Sequence, residues 1–303
     1  MNSENQSEVN GNAAQETAAA PAKKPVKRSW LIAVLVLTFA FVLMPYLFWQ
    51  ATWFGRPMND AQMMKAFTDA QHPRDAQHAL SQIADRMMSA DANVRAAARA
   101  WYPQLLSAAV NPHDEIRLTA AWVMGQDNSS QDFHVALLKM LGDSNPMVRR
   151  NAALQLVRFN DAAGHDVIVS MLKPYAMPSP GAGKLVERLV TGDVVNPGTK
   201  IGRLEAPGKD ASDVRTEVPG TLAQWAVADG SAVSAGQTIL VLDPSADTAW
   251  EALRGLYLVG KPQDIAAITP FARGMDGMPA NVAQQANATL DAINQRGAAA
   301  GNT

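Results

Sequence analysis

Three patterns of apolar and polar positions divide the chain. The first is a run from Trp30 to Trp49 without a charged side chain. About 20 apolar residues, rising about 1.5 Å each in a helix, match a hydrocarbon core about 30 Å thick. Trp30, Tyr46, Trp49 and Trp53 lie near its ends, where interfacial aromatics settle. The run predicts a transmembrane helix over 29–50. A cleaved signal peptide would have a shorter apolar stretch followed by an A-x-A-like site, and Met44–Trp53 contains none. Residues 1–28 are small and polar, end in Lys23, Lys24, Lys27 and Arg28, and read as a disordered tail.

The second pattern has helical period and a recurring turn. Asp91 with Val94 and Arg95, His113–Asp114 with Ile116 and Arg117, and Asn145 with Val148 and Arg149 are three copies of one phrase. Apolar residues follow each at helical spacing: Ala98 and Trp101, then Ala120, Val123 and Met124, then Ala152, Leu156 and Val157. Each phrase is preceded by another amphipathic stretch, such as the one carrying Val135, Leu138 and Leu141. The acidic or amide residue is placed to cap the second helix. The branched residue is expected to pack inward, and the arginine to reach carboxylates or carbonyls of a neighbouring repeat.

The third pattern begins after Pro174, where prolines and glycines end the helices and short alternating strands take over. Gly192, Val195, Gly198, Ile201 and Leu204 recur as Gly230, Val233, Gly236, Ile239 and Leu242, each 38 residues on. The four glycines mark turns that need positive φ, with strands between them. After Asp243 helices return. The stretch Gly164–Lys173 reads as a first repeat helix without a partner, and Asp247–Val259 as a second, so the β segment splits one repeat.

The turn phrase resembles that of HEAT-like repeats, in which helix pairs stack into a solenoid, over residues 58–174 and again over 246–296. The duplicated segment, 181–244, resembles a biotinyl/lipoyl-like barrel-sandwich domain, and its second half is similar to those of membrane fusion (periplasmic adaptor) proteins. The fold class that follows is mainly α: a transmembrane helix and a HEAT-like α-solenoid interrupted by a small all-β, lipoyl-like domain, with a flexible tail over 297–303. Carriers of the lipoyl kind modify a lysine in a Asp-Lys-Ala or Met-Lys-Met setting at the turn between the halves. Here that turn offers Lys209 behind Pro207 and Gly208, so the resemblance implies a carrier only if the altered setting is tolerated. Membrane fusion proteins usually insert a long helical hairpin at the same turn, which here is a few residues long.

Composition narrows the chemistry. The 303 residues suffice for two domains. Lys and Arg number 26 against 28 Asp and Glu, a near-neutral balance that speaks against a nucleic-acid partner. Cysteine is absent, which excludes disulfides, thiolate catalysis and Cys-ligated metals. His72, His78, His113, His134 and His165 form no zinc-hydrolase pattern, and no metal, cofactor or catalytic group is expected. The stretch Pro178–Leu185 lacks the first glycine and the Ser or Thr of a phosphate loop.

The reading is a single-pass scaffold of the bacterial inner membrane that binds protein partners in the cell envelope. An atypical periplasmic adaptor of a transport or secretion system is one alternative, and a carrier modified on Lys209 another. Four basic residues precede the apolar run and only Arg56 follows closely, so the N-terminus is expected in the cytoplasm and the bulk of the chain in the periplasm. Alkaline phosphatase fused after Thr303 should then be active and a cytoplasm-only reporter silent, and the reverse pattern would reverse the orientation.

Overall fold

The computed structural model describes residues 28–51, 57–69, 71–208 and 210–301. Most of the N-terminal tail and Lys209 therefore lie outside the described residues. Two units separate at Arg56/Pro57.

The first unit contains α1 (Arg28–Ala51), which exposes Leu35, Leu37, Phe39 and Phe41 among others. Counted over the described residues alone, no helix is long and apolar enough to cross a membrane. The span expected over 29–50 is thus a helix whose membrane role the structure does not carry, the side chains of 28–31, 33 and 48–51 lying outside the described set.

The second unit is built from helix pairs: α2 (Asp60–Thr68) with α3 (Pro73–Met87), α7 (Gln131–Met140) with α8 (Pro146–Arg158), and α11 (Ile265–Ala272) with α12 (Ala280–Gly301). Between the first two, α4 (Ala92–Ala98), a 3₁₀ turn (Arg99–Trp101) and α5 (Tyr102–Ala108) run on to pair with α6 (Asp114–Met124). The fourth pair is split: α9 (His165–Ser170) precedes the strands, and α10 (Ala246–Val259) follows them. Helices α3, α6, α8, α10 and α12 pack side by side in one row, each backed by its partner. Local chemistry sets the helix starts. Asn59 and Gln62 form a reciprocal capping box, and Ser130, Asn145 and Ser245 cap α7, α8 and α10 with their side chains. Helix α12 continues through Gly297–Ala300, where fraying was expected, because alanine is the best helix former.

Eight strands form two antiparallel sheets: β1 (Tyr175–Pro178), β2 (Gly183–Glu187), β3 (Val194–Val195), β4 (Lys200–Glu205), β5 (Ser212–Arg215), β6 (Gly220–Trp225), β7 (Ala232–Val233) and β8 (Thr238–Pro244). One sheet has the order β1-β8-β6-β3 and the other β5-β4-β2-β7. Adding four to each strand number, counted cyclically, turns the first order into the second. The sequence duplication is therefore a two-fold symmetry of the pairing. Gly192, Gly198, Gly230 and Gly236 have φ of 97°, 84°, 75° and 79°. Their N–H groups donate across the halves, to the carbonyls of Leu222, Thr216, Leu185 and Ser179. Both sheets contribute to one core that includes Leu185, Ile201, Val214, Leu222, Ile239 and Leu242.

Incoming and outgoing strands are neighbours, since Tyr175 pairs with Leu242 in the β1/β8 ladder. Helices α9 and α10 accordingly pack together and share a core through Ile168, Ala249 and Leu253. Replacing 176–244 with a short Gly/Ser linker should leave the helical circular-dichroism signal of the remaining chain and its cooperative melt intact, because the loop-closure cost grows slowly with length. Loss of the helical signal would make the strands part of the helical core.

Candidate docking surface

The helix-connecting turns recur at the level of single bonds. The Nη1 of Arg95 donates to the carbonyls of Ser89 and Ala90 at 2.6 and 2.8 Å. Arg117 does the same to Asn111 and Pro112 at 2.9 and 3.2 Å, and Arg149 to Asp143 and Ser144 at 2.6 and 2.8 Å. In each turn a backbone N–H four residues before the arginine is held by a side chain two residues further back. The pairs are Asp91 to Ser89 Oγ, His113 to Asn111 Oδ1, and Asn145 to Asp143 Oδ1. The arginine thus brackets its own turn, tying down carbonyls of the residues that connect the two helices.

Arg117 also crosses to the next turn. Its Nε and Nη2 donate to Asp143 Oδ2 and Oδ1 at 2.7 and 2.8 Å, a bidentate pair with side chains only 13% and 10% exposed. The side-chain amide of Asn145 donates to Asp114 beside it. The Arg117 guanidinium holds the Asp143 carboxyl below its ordinary value, and Asp143 in turn raises Arg117.

Ile116 and Val148 are buried as the phrase implies, at 3% and 0% exposure. Val94 is not; it is 37% exposed, which corrects the inward packing expected of it. The reason lies in its neighbours. Helix α6 is flanked by α3, α5, α7 and α8, whereas α4 packs chiefly on α3. In α7 the buried stripe is Phe133, Leu137 and Met140; of the amphipathic stretch, Leu138 and Leu141 pack against the core while Val135 is 41% exposed.

Val135 faces a cleft of about 500 Å³ between α5 and α7. Ala109 and Met140 are its buried lining, and Leu106 and Ala136 are half-buried. Val110, 80% exposed, lies at its edge with Asp132 and Lys139, and the Arg117–Asp143 pair lines it as well. An apolar cleft with charged residues at its margin, lined by a rigid ion pair, suits a partner side chain or helix.

Local sequence patterns missed a second polar contact. His165 on α9 is buried, and its Nε2 lies 2.7 Å from Asp264 Oδ2, a residue 99 positions away and 3% exposed. The same oxygen accepts the Lys261 N–H at 2.7 Å, and Nδ1 of His165 lies 2.9 Å from Asp166. This contact ties the half-repeat before the strands to the helices after them. No spacing signal could have found it. Among the described residues no group of three or more His, Cys, Asp or Glu could hold a metal.

A family model for HEAT repeats matches residues 102–175. HEAT repeats are found here. The match runs from Tyr102 at the start of α5 to Tyr175, where β1 begins, and so includes the Arg117 and Arg149 turns but not the Arg95 turn. No curated protein matches the chain. Among solved structures, one titled "Structure and function of a single-chain, multi-domain long-chain acyl-CoA carboxylase" aligns at 19% identity with a TM-score of 0.23. The alignment covers 40% of this chain and 14% of that one, and at this score it carries no argument.

Arg117→Ala removes the cross-turn pair and both carbonyl bonds, and should cost about 2–4 kcal/mol, read as a lower urea midpoint. Arg95→Ala, at an exposed turn without a cross-link, should cost about 1 kcal/mol or less. Because Asp143 titrates below its ordinary 3.8 in the folded protein, its contribution is present above that pH and lost as the pH falls through the depressed value. The acid limb of the stability profile should therefore flatten in Arg117→Ala. An unchanged limb would show that the pair contributes nothing.

Proposed function

We propose that the chain is a membrane-anchored scaffold that holds partner proteins on its HEAT repeats. The observation that carries this is the latched pair of turns beside an apolar cleft. A rigid array with an exposed apolar site suits recognition better than chemistry, and HEAT repeats generally mediate protein–protein contact. The anchor in this reading is the helix over Arg28–Ala51, the basic residues Lys23, Lys24, Lys27 and Arg28 at its start favouring a cytoplasmic N-terminus and a periplasmic remainder.

A second reading, an atypical periplasmic adaptor, draws support from the two-fold strand pairing of the β module, which fits the biotinyl/lipoyl-like likeness. The connection between β4 and β5 spans only 206–211, too short for the usual helical hairpin. We favour docking by the module over a carrier role for Lys209, which lies outside the described residues.

The cleft is tested by charge. Val110→Asp with Val135→Asp changes two exposed positions and should leave the melting temperature within about 2 °C. Proteins cross-linked to and co-purified with the full chain in mild detergent should fall by about tenfold or more in the variant. Equal recovery of every partner from both proteins would sink the assignment of the cleft.

A further inference from the structure

Among the described residues no helix of the solenoid forms an extended contact with a strand of the β module. Among the described residues, Met147 on α8 is the one apolar solenoid side chain that packs on the β core. The covalent links are short: residues 171–174 lead from α9 into β1, and Ser245, the cap of α10, joins β8 to that helix. Lys173 and Pro174 are exposed, and Pro174 fixes its own φ and leaves the bonds beside it as the pivots. Because β1 and β8 are hydrogen-bonded neighbours, the two links lie together like the leaves of a hinge.

At the contact sits a cation without an acceptor. Arg150 on α8 is 8% exposed. Its Nη1 is buried and has no hydrogen-bond partner. Its guanidinium carbon stands 5.8 Å from the centroid of the Tyr175 ring, at the first residue of β1. The Tyr175 hydroxyl is turned to Glu217, donating to Oε2 at 2.8 Å, so that carboxylate is engaged with the phenol. The next cation, Arg149, is committed to its turn carbonyls and adds like charge. Burial pushes the Arg150 guanidinium down, as it does any charge taken from water without a counter-ion. The ring face offsets part of that cost, but a buried cation with an unmade hydrogen bond opposes the docked position.

We propose that the β module is an arm that swings from α8 about its two tethers, with Arg150 the group that keeps the docked position from locking. Lifting the module returns Arg150 to water and gives up the Met147 and Tyr175 contacts. Domains within one chain ordinarily move relative to one another unless a large apolar interface joins them. The arm lets one bound component be presented over a range of positions while the helical array stays fixed.

The absence of cysteine makes the test direct. Spin labels at Glu115→Cys on α6 and Ser212→Cys on β5, both exposed, report the distance between array and module in the full chain by double electron–electron resonance. The parent should show a docked and a longer distance. Arg150→Met, similar in length and uncharged, should cut the longer population about tenfold and raise the melting temperature, since an apolar side chain suits that site better than a lone cation. Arg150→Lys keeps the charge and loses the planar contact with Tyr175, and should keep or enlarge the longer population. If Arg150→Met does not fold, as judged by circular dichroism, Arg150→Gln should move the distribution in the same direction. A single distance in the parent, unchanged in the folded neutral variant, would overturn the proposal.

Discussion

Three separate packings converge on one helix. Of the thirteen residues in α8, eight are buried. Val148, Ala152 and Leu156 belong to the core of α2–α7, and Ala153 and Val157 to the core of α9–α12. Met147 reaches the β core. At about 100° per residue these sets lie on different sides of the helix. Rotation of α8 about its axis would therefore vacate all three at once. This also explains why α8 reads poorly as an amphipathic helix: it has no side wholly given to water.

Shape as well as charge places the polar side chains of α8, and Gln155 Oε1 and Arg150 Nη1 are buried there without a hydrogen-bond partner. Gly125 leaves the space that the Gln155 side chain fills, and a Cβ there would stand 2.1 Å from its Oε1. Asn151 donates to the Leu118 carbonyl and accepts from Gln155, so a polar seam joins α6 to α8. Farther along the row Arg296 performs the same service, donating to the carbonyls of Tyr257 and Gly260 at the end of α10 at 2.7 and 3.0 Å. Helix ends leave carbonyls without partners, and arginine with its several donors is the side chain suited to gather them.

What was legible in the sequence was what a short stretch decides by itself. Ile116–Arg117 and Val148–Arg149 announce a turn because the inward side chain and the carbonyl bracket lie within seven residues, with a side-chain cap at Asn145 but none at His113, where one was expected. The 38-residue offset of the glycines was legible because positive φ admits few other residues. Val94 misled because its burial depends on a helix beside α4 rather than on its own phrase. Val135 stands in one stretch with Leu138 and Leu141, and apolar residues at helical spacing do not say which of them pack in. The cleft was invisible for that reason. His165 with Asp264 joins segments that meet only after the strands have folded back, Arg150 with Tyr175 joins α8 to β1 across α9, and no local pattern encodes either.

The split repeat has a mechanical corollary. Between α9 and α10 the backbone makes a detour through all eight strands, so the array is not covalently continuous along its own axis there. Tension along the array crosses this joint through side chains: the shared core around Ile168 and Leu253, and the His165–Asp264 contact. If these part, the force passes to β1 and β8 at their open ends, Tyr175 opposite Leu242, and peels the ladder one bond pair at a time. Elsewhere in the array the chain itself links one helix to the next over short turns. A solenoid interrupted in this way has a built-in compliant joint, and extending it would draw out slack from the inserted module before any other helix pair need open.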